Sequence, residues 1–234
     1  SEYSFLFESI SGPEKLREYS FIGFDPYAVI RIENGRATVV EVESGERSEF
    51  DVDDPTVFLR EVMPRVPHSY GFRFVGGAVG YVSYDCINYW EHLPNIRPKT
   101  VKFPDMEFAL YSEGVVIDHR MNEAYYFSLR GRELKNNFRS DAELEEVYVK
   151  DVRRNVERSE FEEMVKKAKA YIFAGDIFQV VLSKRYEVEL EGDLLSFYAK
   201  LREINPSPYM FFLKADKRYL IGSSPEMLFR VEGG

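Results

Sequence analysis

The chain has 234 residues, 44% of them hydrophobic and 30% charged, a composition that excludes a disordered chain and allows one large domain or two small ones. With 40 acidic against 31 basic residues its net charge is −9, which argues against nucleic acid or an anionic membrane as the main partner, because both need clustered Lys and Arg. The single cysteine, Cys86, excludes an intramolecular disulfide and suits a reducing cytoplasm, and no apolar run reaches the ~18 residues of a membrane-spanning helix.

The first half reads as strands and turns. Ser1-Glu2-Tyr3-Ser4 has neither the basic nor the apolar region of a secretory leader and lacks an initiator Met. Leu6 to Ile10 is a short apolar run ending at Ser11-Gly12-Pro13. Tyr27 to Ile32 and Ala37 to Val42 are predicted strands joined by Glu33-Asn34-Gly35, and an Asn-Gly pair between β-branched runs is a strong hairpin signal because both residues tolerate positive φ. Asp54 before Pro55 predicts a helix over 55–63, with Asp54 as N-cap and proline at the first position. Val75 to Tyr84 is a Gly-rich strand in which another backbone can come close. Phe108 to Tyr111, Val115 to Asp118 and Ala124 to Leu129 read as a three-strand meander, turning at Ser112-Glu113-Gly114 and Met121-Asn122. Residues 130–151, the most polar stretch, read as a surface connection with one helical turn.

The second half changes period. Ser159 and Glu162 form a capping box. Phe161, Met164, Val165, Ala168, Tyr171 and Ile172 recur at helical spacing, predicting one buried face. Glu162–Lys166 and Glu163–Lys167 are i,i+4 pairs on the opposite face, and Gly175 ends the helix. Ile177 to Leu190 is rich in β-branched residues and reads as a long strand. Asp193 caps a second helix with an apolar stripe of Leu194, Phe197, Tyr198 and Leu201, which Asn205-Pro206-Ser207-Pro208 breaks. Tyr209 to Lys214 and Tyr219 to Ile221 are strands turning at Ala215-Asp216-Lys217, and Met227 to Val231 forms an unpaired apolar edge. The helices flank a core strand, and no internal repeat occurs.

Few of these residues declare a chemistry. His68, His92 and His119 are far apart and lack the ligand spacing of a zinc site; His119 reads as a surface residue. Cys86, with no His near it in sequence, reads as a buried structural thiol. Gly76-Gly77-Ala78-Val79-Gly80 matches neither the dinucleotide fingerprint nor the Walker A pattern, and close strand packing explains it. Two segments carry more. Asn205 to Met210 sets two prolines beside an amide, a hydroxyl, a phenol and a thioether, a rigid turn of the sort that can present groups to a small ligand. Gly222-Ser223-Ser224-Pro225-Glu226 puts two hydroxyls and a carboxylate at a strand end, equally consistent with a turn or helix start.

Taken in order, several segments resemble the chorismate-utilising enzymes, and among them the anthranilate synthase component I family. They are Phe5-Leu6-Phe7-Glu8-Ser9, with Phe7 where the family has Leu; Tyr19 to Gly23; Gly76 to Asp85; Gly175-Asp176-Ile177-Phe178-Gln179-Val180-Val181-Leu182-Ser183; Asn205-Pro206-Ser207-Pro208-Tyr209-Met210-Phe211; and Ile221 to Glu226. The resemblance implies an α+β fold of large, mainly antiparallel sheets with flanking helices. It implies an N-terminal component I region over 1–154 and the beginning of a chorismate-binding domain over 155–234. The implied activity makes anthranilate and pyruvate from chorismate and ammonia with Mg²⁺, the ammonia coming from a glutamine amidotransferase subunit, component II. It also implies feedback inhibition by tryptophan at a site of Ser9, Pro208, Tyr209 and Met210, with Arg17 a further candidate.

Within the family, the relatives that add water have Lys where this chain has Gln179. A Gln amide cannot act as a base near neutral pH, so Gln179, the one catalytic candidate, points to ammonia addition. The family's Pro-Ile-Ala-Gly-Thr-Arg segment, its Mg²⁺-binding carboxylates and its catalytic His lie beyond Gly234. The resemblance therefore implies that this chain is roughly the first half of component I, with no metal ligands of its own and no activity alone. A stand-alone tryptophan-binding module and an aminodeoxychorismate synthase component are the alternatives.

Overall fold

The structure is a computed structural model that describes residues 1–11, 17–63, 71–93, 101–134 and 144–231. His68 and part of the polar 130–151 stretch lie outside the described residues. The chain divides into two compact units, one of Ser1–Phe138 with Lys200–Gly234, the other of Arg139–Ala199. The architecture is α+β, and every paired strand is antiparallel. No helix is long and apolar enough to cross a membrane among the described residues.

The first unit holds two sheets. The six-stranded sheet has the order β13-β12-β1-β2-β8-β9, made of β1 (Tyr3–Glu8), β2 (Tyr19–Phe24), β8 (Glu113–Asp118), β9 (Glu123–Ser128), β12 (Tyr209–Ala215) and β13 (Arg218–Ser224). The five-stranded sheet has the order β5-β4-β3-β7-β6, made of β3 (Ala28–Glu33), β4 (Arg36–Glu41), β5 (Arg47–Asp51), β6 (Gly77–Val82) and β7 (Met106–Tyr111). One core lies between the sheets, with Tyr3 and Phe5 of β1 and Leu213 of β12 packed with Val29, Val79 and Tyr111 of the other sheet. A second core, around Ile30, Ile32 and Met106, is covered by Phe58 and Leu59 of helix α1 (Pro55–Val62). The alternating residues of β3 thus bury both faces, which accounts for apolar residues on both sides of Ala28-Val29-Ile30, while Arg31 is half-covered.

Local signals landed where turn and cap chemistry is strong. Asn34 and Gly35 take φ of 50° and 75° in the β3–β4 hairpin, as a type I′ turn needs. Asp54 accepts the Thr56 backbone N–H at 2.8 Å and caps α1. The close approach expected of the Gly-rich strand occurs at Gly80, where an added Cβ would sit 1.9 Å from the Glu107 carbonyl oxygen. Cys86 is a buried thiol donating to the Asp105 carbonyl at 2.9 Å.

The expected three-strand meander is not formed. β7 pairs with β3 and β6, whereas β8 pairs with β2 and β9. The chain crosses from one sheet to the other at Ser112, so only β8 and β9 make a hairpin. Each strand takes the neighbours that bury its apolar residues, and proximity in sequence does not decide pairing.

The second unit holds a two-stranded ribbon of β10 (Tyr148–Arg154) and β11 (Tyr186–Glu191), helix α2 (Arg158–Ala174) and the start of α3 (Leu194–Ile204). The polar stretch expected as a surface connection therefore ends in a strand. Glu157, not Ser159, is the N-cap of α2, and no side chain caps it; the Glu157 carbonyl already accepts the Phe161 N–H at 3.0 Å. Gly175 ends the helix at φ 82° as expected. The expected buried face is not buried: Phe161, Met164 and Ala168 are half-covered, and no α2 residue is buried. Among the described residues its ion pairs are Arg158–Glu162 at i,i+4 and Glu163–Lys166 at i,i+3, in place of the expected Glu162–Lys166 and Glu163–Lys167 pairs. The long strand expected over 177–190 is cut to β11. β10 ends its pairing at Tyr186, and without a neighbour the preceding residues have no ladder to join. Asp193 caps α3 by accepting the Ser196 N–H at 2.9 Å.

Candidate functional site

The site begins with the pairing of β1 and β12. The register sets Phe7 opposite Phe211 and Glu8 opposite Met210, and beyond it the Ile10 N–H donates to the Ser207 carbonyl at 3.2 Å. Ser9 and Pro208-Tyr209-Met210, about 200 residues apart in sequence, are thereby brought to one sheet end. The turn leading there is clamped to the Ser223-Ser224 segment by two hydroxyls. Ser223 Oγ donates to the Asn205 carbonyl at 2.6 Å, and Ser207 Oγ donates to the Ser224 carbonyl at 2.5 Å. These hydroxyls hold the turn, while Glu226 is exposed.

All four residues line one cavity of about 500 Å³. Phe7, Phe21, Tyr81 and Phe211 supply much of the aromatic wall, Met210 is buried, and Glu8 is the acidic residue in the lining among the described residues. An apolar, aromatic hollow with few polar groups is the usual form of a small-molecule site. Ser9 Oγ is buried and has no hydrogen-bond partner among the described residues. A buried hydroxyl left unpaired costs free energy, and a ligand atom in the cavity would relieve that cost.

A second, polar cavity of about 390 Å³ shares Glu8 and Ser9 with the first and is lined also by Arg17, His119, Arg120 and Arg202. Arg202 Nε lies 3.2 Å from Glu8 Oε2, and Ser20 Oγ lies 2.7 Å from His119 Nε2. Arg17 therefore shares a chamber with Ser9, and His119 is exposed, as expected of a surface residue, with a polar partner in Ser20. Gln179 is exposed, in the irregular segment before β11, and is not among the residues that line either cavity.

Behind the aromatic wall lies a buried carboxylate, Glu107. Arg31 Nε donates to it at 2.6 Å, Tyr3 Oη at 3.0 Å, and Arg218 reaches both of its oxygens at 2.8 and 2.6 Å. Arg31 and Glu107 belong to the five-stranded sheet and Tyr3 and Arg218 to the six-stranded one, so this group ties the two sheets together. Burial, and next the Glu107 charge, push the Tyr3 phenol up to about 12 and hold that of Tyr81 well above its usual range. Tyr81 thus stands in the cavity wall as a neutral phenol.

Sequence reasoning missed Glu8, Phe21 and Tyr81 as cavity residues. Alternation along β1, β2 and β6 was the available signal, but which face met the cavity depended on register. The residues present do not fit a Mg²⁺ site: among the described residues no group of three or more His, Cys, Asp or Glu side chains could hold a metal ion.

The model of the chorismate binding enzyme family matches residues 2–234. The chain belongs to the chorismate-binding enzyme family. Among curated members, it is 40% identical to "Anthranilate synthase component 1" of Methanothermobacter thermautotrophicus over 99% of this chain and 50% of that protein. It is 33% identical to the protein of the same name from Saccharolobus solfataricus over 97% of this chain and 48% of that one. The crystal structure of anthranilate synthase component I from Streptococcus pneumoniae TIGR4 superposes with a TM-score of 0.70 at 30% identity, covering 93% of this chain and 52% of that one. The chain spans about half the length of the curated relatives it matches.

Proposed function

We propose that this chain is the effector-binding half of an anthranilate synthase component I. In that reading the whole protein adds ammonia to chorismate and releases anthranilate and pyruvate in the cytoplasm, with a glutamine amidotransferase subunit supplying the ammonia. Gln179 in place of a basic residue supports ammonia rather than water as nucleophile. Mg²⁺ and the acid–base groups of the elimination belong to segments other than those described, so no step is assigned to this chain's own residues. The 234-residue chain with chorismate, ammonia and Mg²⁺ is expected to form no anthranilate; steady product formation would overturn this division of labour.

The role proposed for this chain is to bind tryptophan as a feedback inhibitor. The observation that carries it is the buried Ser9 Oγ, without a hydrogen-bond partner among the described residues, at an aromatic cavity closed by Pro208, Tyr209 and Met210. The indole would fill the cavity, with Tyr209 for aromatic contact and the Met210 thioether against the ring. Ser9 would hydrogen-bond the amino acid's polar end, and Arg17 lies in the adjoining chamber for its carboxylate. Calorimetric titration with tryptophan is the test. One site is expected, weakened about tenfold or more by Ser9→Ala, as loss of a hydrogen bond to a charged group implies. Unchanged affinity in Ser9→Ala would show that the tryptophan binds elsewhere.

A further inference from the structure

Glu8 stands where the two cavities meet, and it already has a partner. Its side chain is 12% exposed, and Arg202 Nε lies 3.2 Å from its Oε2 as an ion pair. Arg202 lies in the last turn of α3, and its own side chain is 48% exposed. The helix ends one turn later, where the Asn205 N–H donates to the Leu201 carbonyl at 2.9 Å, and the chain enters the Pro206–Pro208 turn that closes the aromatic cavity.

From this geometry we infer that Glu8 is a contested acceptor: the ammonium group of a bound amino acid displaces Arg202, so that filling the cavity releases the last turn of α3. The inference rests on the effector reading above and adds a mechanism by which occupancy leaves the site. A ligand whose aromatic body fills the cavity and whose head is cationic meets Glu8 as the acidic group of that lining. While Arg202 holds Glu8, the carboxylate's charge is compensated, and the arriving ammonium would lie beside a guanidinium of like sign. The two cations therefore compete for one carboxylate.

The competition is one a ligand can win. Arg202 is half-exposed, and an ion pair with one solvated partner is weak. Once free, its guanidinium remains at a helix C-terminus, where positive charge is favoured. Glu8, closed in on the cavity side, instead gains a partner in a less solvated place. The latched state lowers the apparent affinity by the fraction of molecules that hold it, so removing the latch tightens binding by about 3- to 5-fold, the weight of an exposed pair.

The test combines calorimetry with amide hydrogen exchange on the full 234-residue chain. Arg202→Met keeps the apolar stem and removes the charge. It is expected to tighten tryptophan binding 3- to 5-fold and to leave indole-3-propionate, which has no ammonium group, unaffected. In the wild type, tryptophan is expected to speed exchange at the Leu201–Asn205 amides; in Arg202→Met these amides exchange fast already and do not respond. Weaker tryptophan binding in Arg202→Met would overturn the latch and make Arg202 a receptor for the ligand carboxylate. Unchanged affinity, or slower exchange in α3 on binding, would also overturn it. If the wild type binds no tryptophan at all, the effector reading fails first and takes the latch with it.

Discussion

The β3–β4 and β10–β11 pairs are both antiparallel and of similar length, yet they live under different conditions. β3 buries alternate residues into two cores, with Ile30 and Ile32 wholly inaccessible. Every residue of β10 is exposed, and β11 has a single half-covered one. Backbone hydrogen bonds are therefore satisfied in both, while the apolar burial that dominates stability is present in one alone. The same contrast separates α1, which lies on a core, from α2, which has no buried residue among the described residues. A strand or helix can be locally specified in either unit; what differs is how much its loss would cost.

Three measurements would break or sharpen that contrast. The largest effect is expected from Ile30→Ala, which opens a void in a closed core and should lower unfolding free energy by about 2–5 kcal/mol in a denaturant titration. An effect below 1 kcal/mol would mean that the two-sheet core does not dominate. Next comes alkaline titration. The folded protein holds the Tyr3 proton up to about pH 12, whereas an unfolded tyrosine releases it near its ordinary value of 10.0. The unfolded state thus binds fewer protons in this window, and stability falls as pH rises through it. The stabilisation is fully present below pH 10 and lost on the way to pH 12, so melting temperature should drop there, with a shallower drop in Tyr3→Phe. The smallest effect is expected from Val165→Ala on α2, whose side chain is 37% exposed; it should stay within roughly 0.5 kcal/mol.

The sequence disclosed what depends on a few neighbouring residues. Asn34-Gly35, Asp54-Pro55, Gly175 and Asp193 each act within a turn or two, and each was found at the position its chemistry required. Pairing was less legible because it is decided across the chain. Nothing local to Ser112 says that β7 and β8 join different sheets, and the β-branched residues after Ile177 favour a strand but cannot supply a neighbour. The site shows the same division. Ser9 and Pro208 to Met210 were singled out by resemblance, and their convergence follows from the β1–β12 register, which no periodicity reveals. Glu8, Phe21 and Tyr81 reach the cavity only because that register and the sheet packing turn them inward. The Ser223 hydroxyl, equally visible in sequence, serves the turn beside the site.

The central claim is that the buried Ser9 hydroxyl and the Pro208–Met210 turn form a tryptophan site. A crystal structure of the chain with tryptophan tests it most directly. The expected result places the indole among Phe7, Tyr81 and Met210, with Ser9 Oγ hydrogen-bonded to the amino acid's polar end and Glu8 facing its ammonium group. Tryptophan bound outside this cavity, or inside it with Ser9 Oγ still unpaired, would contradict the account.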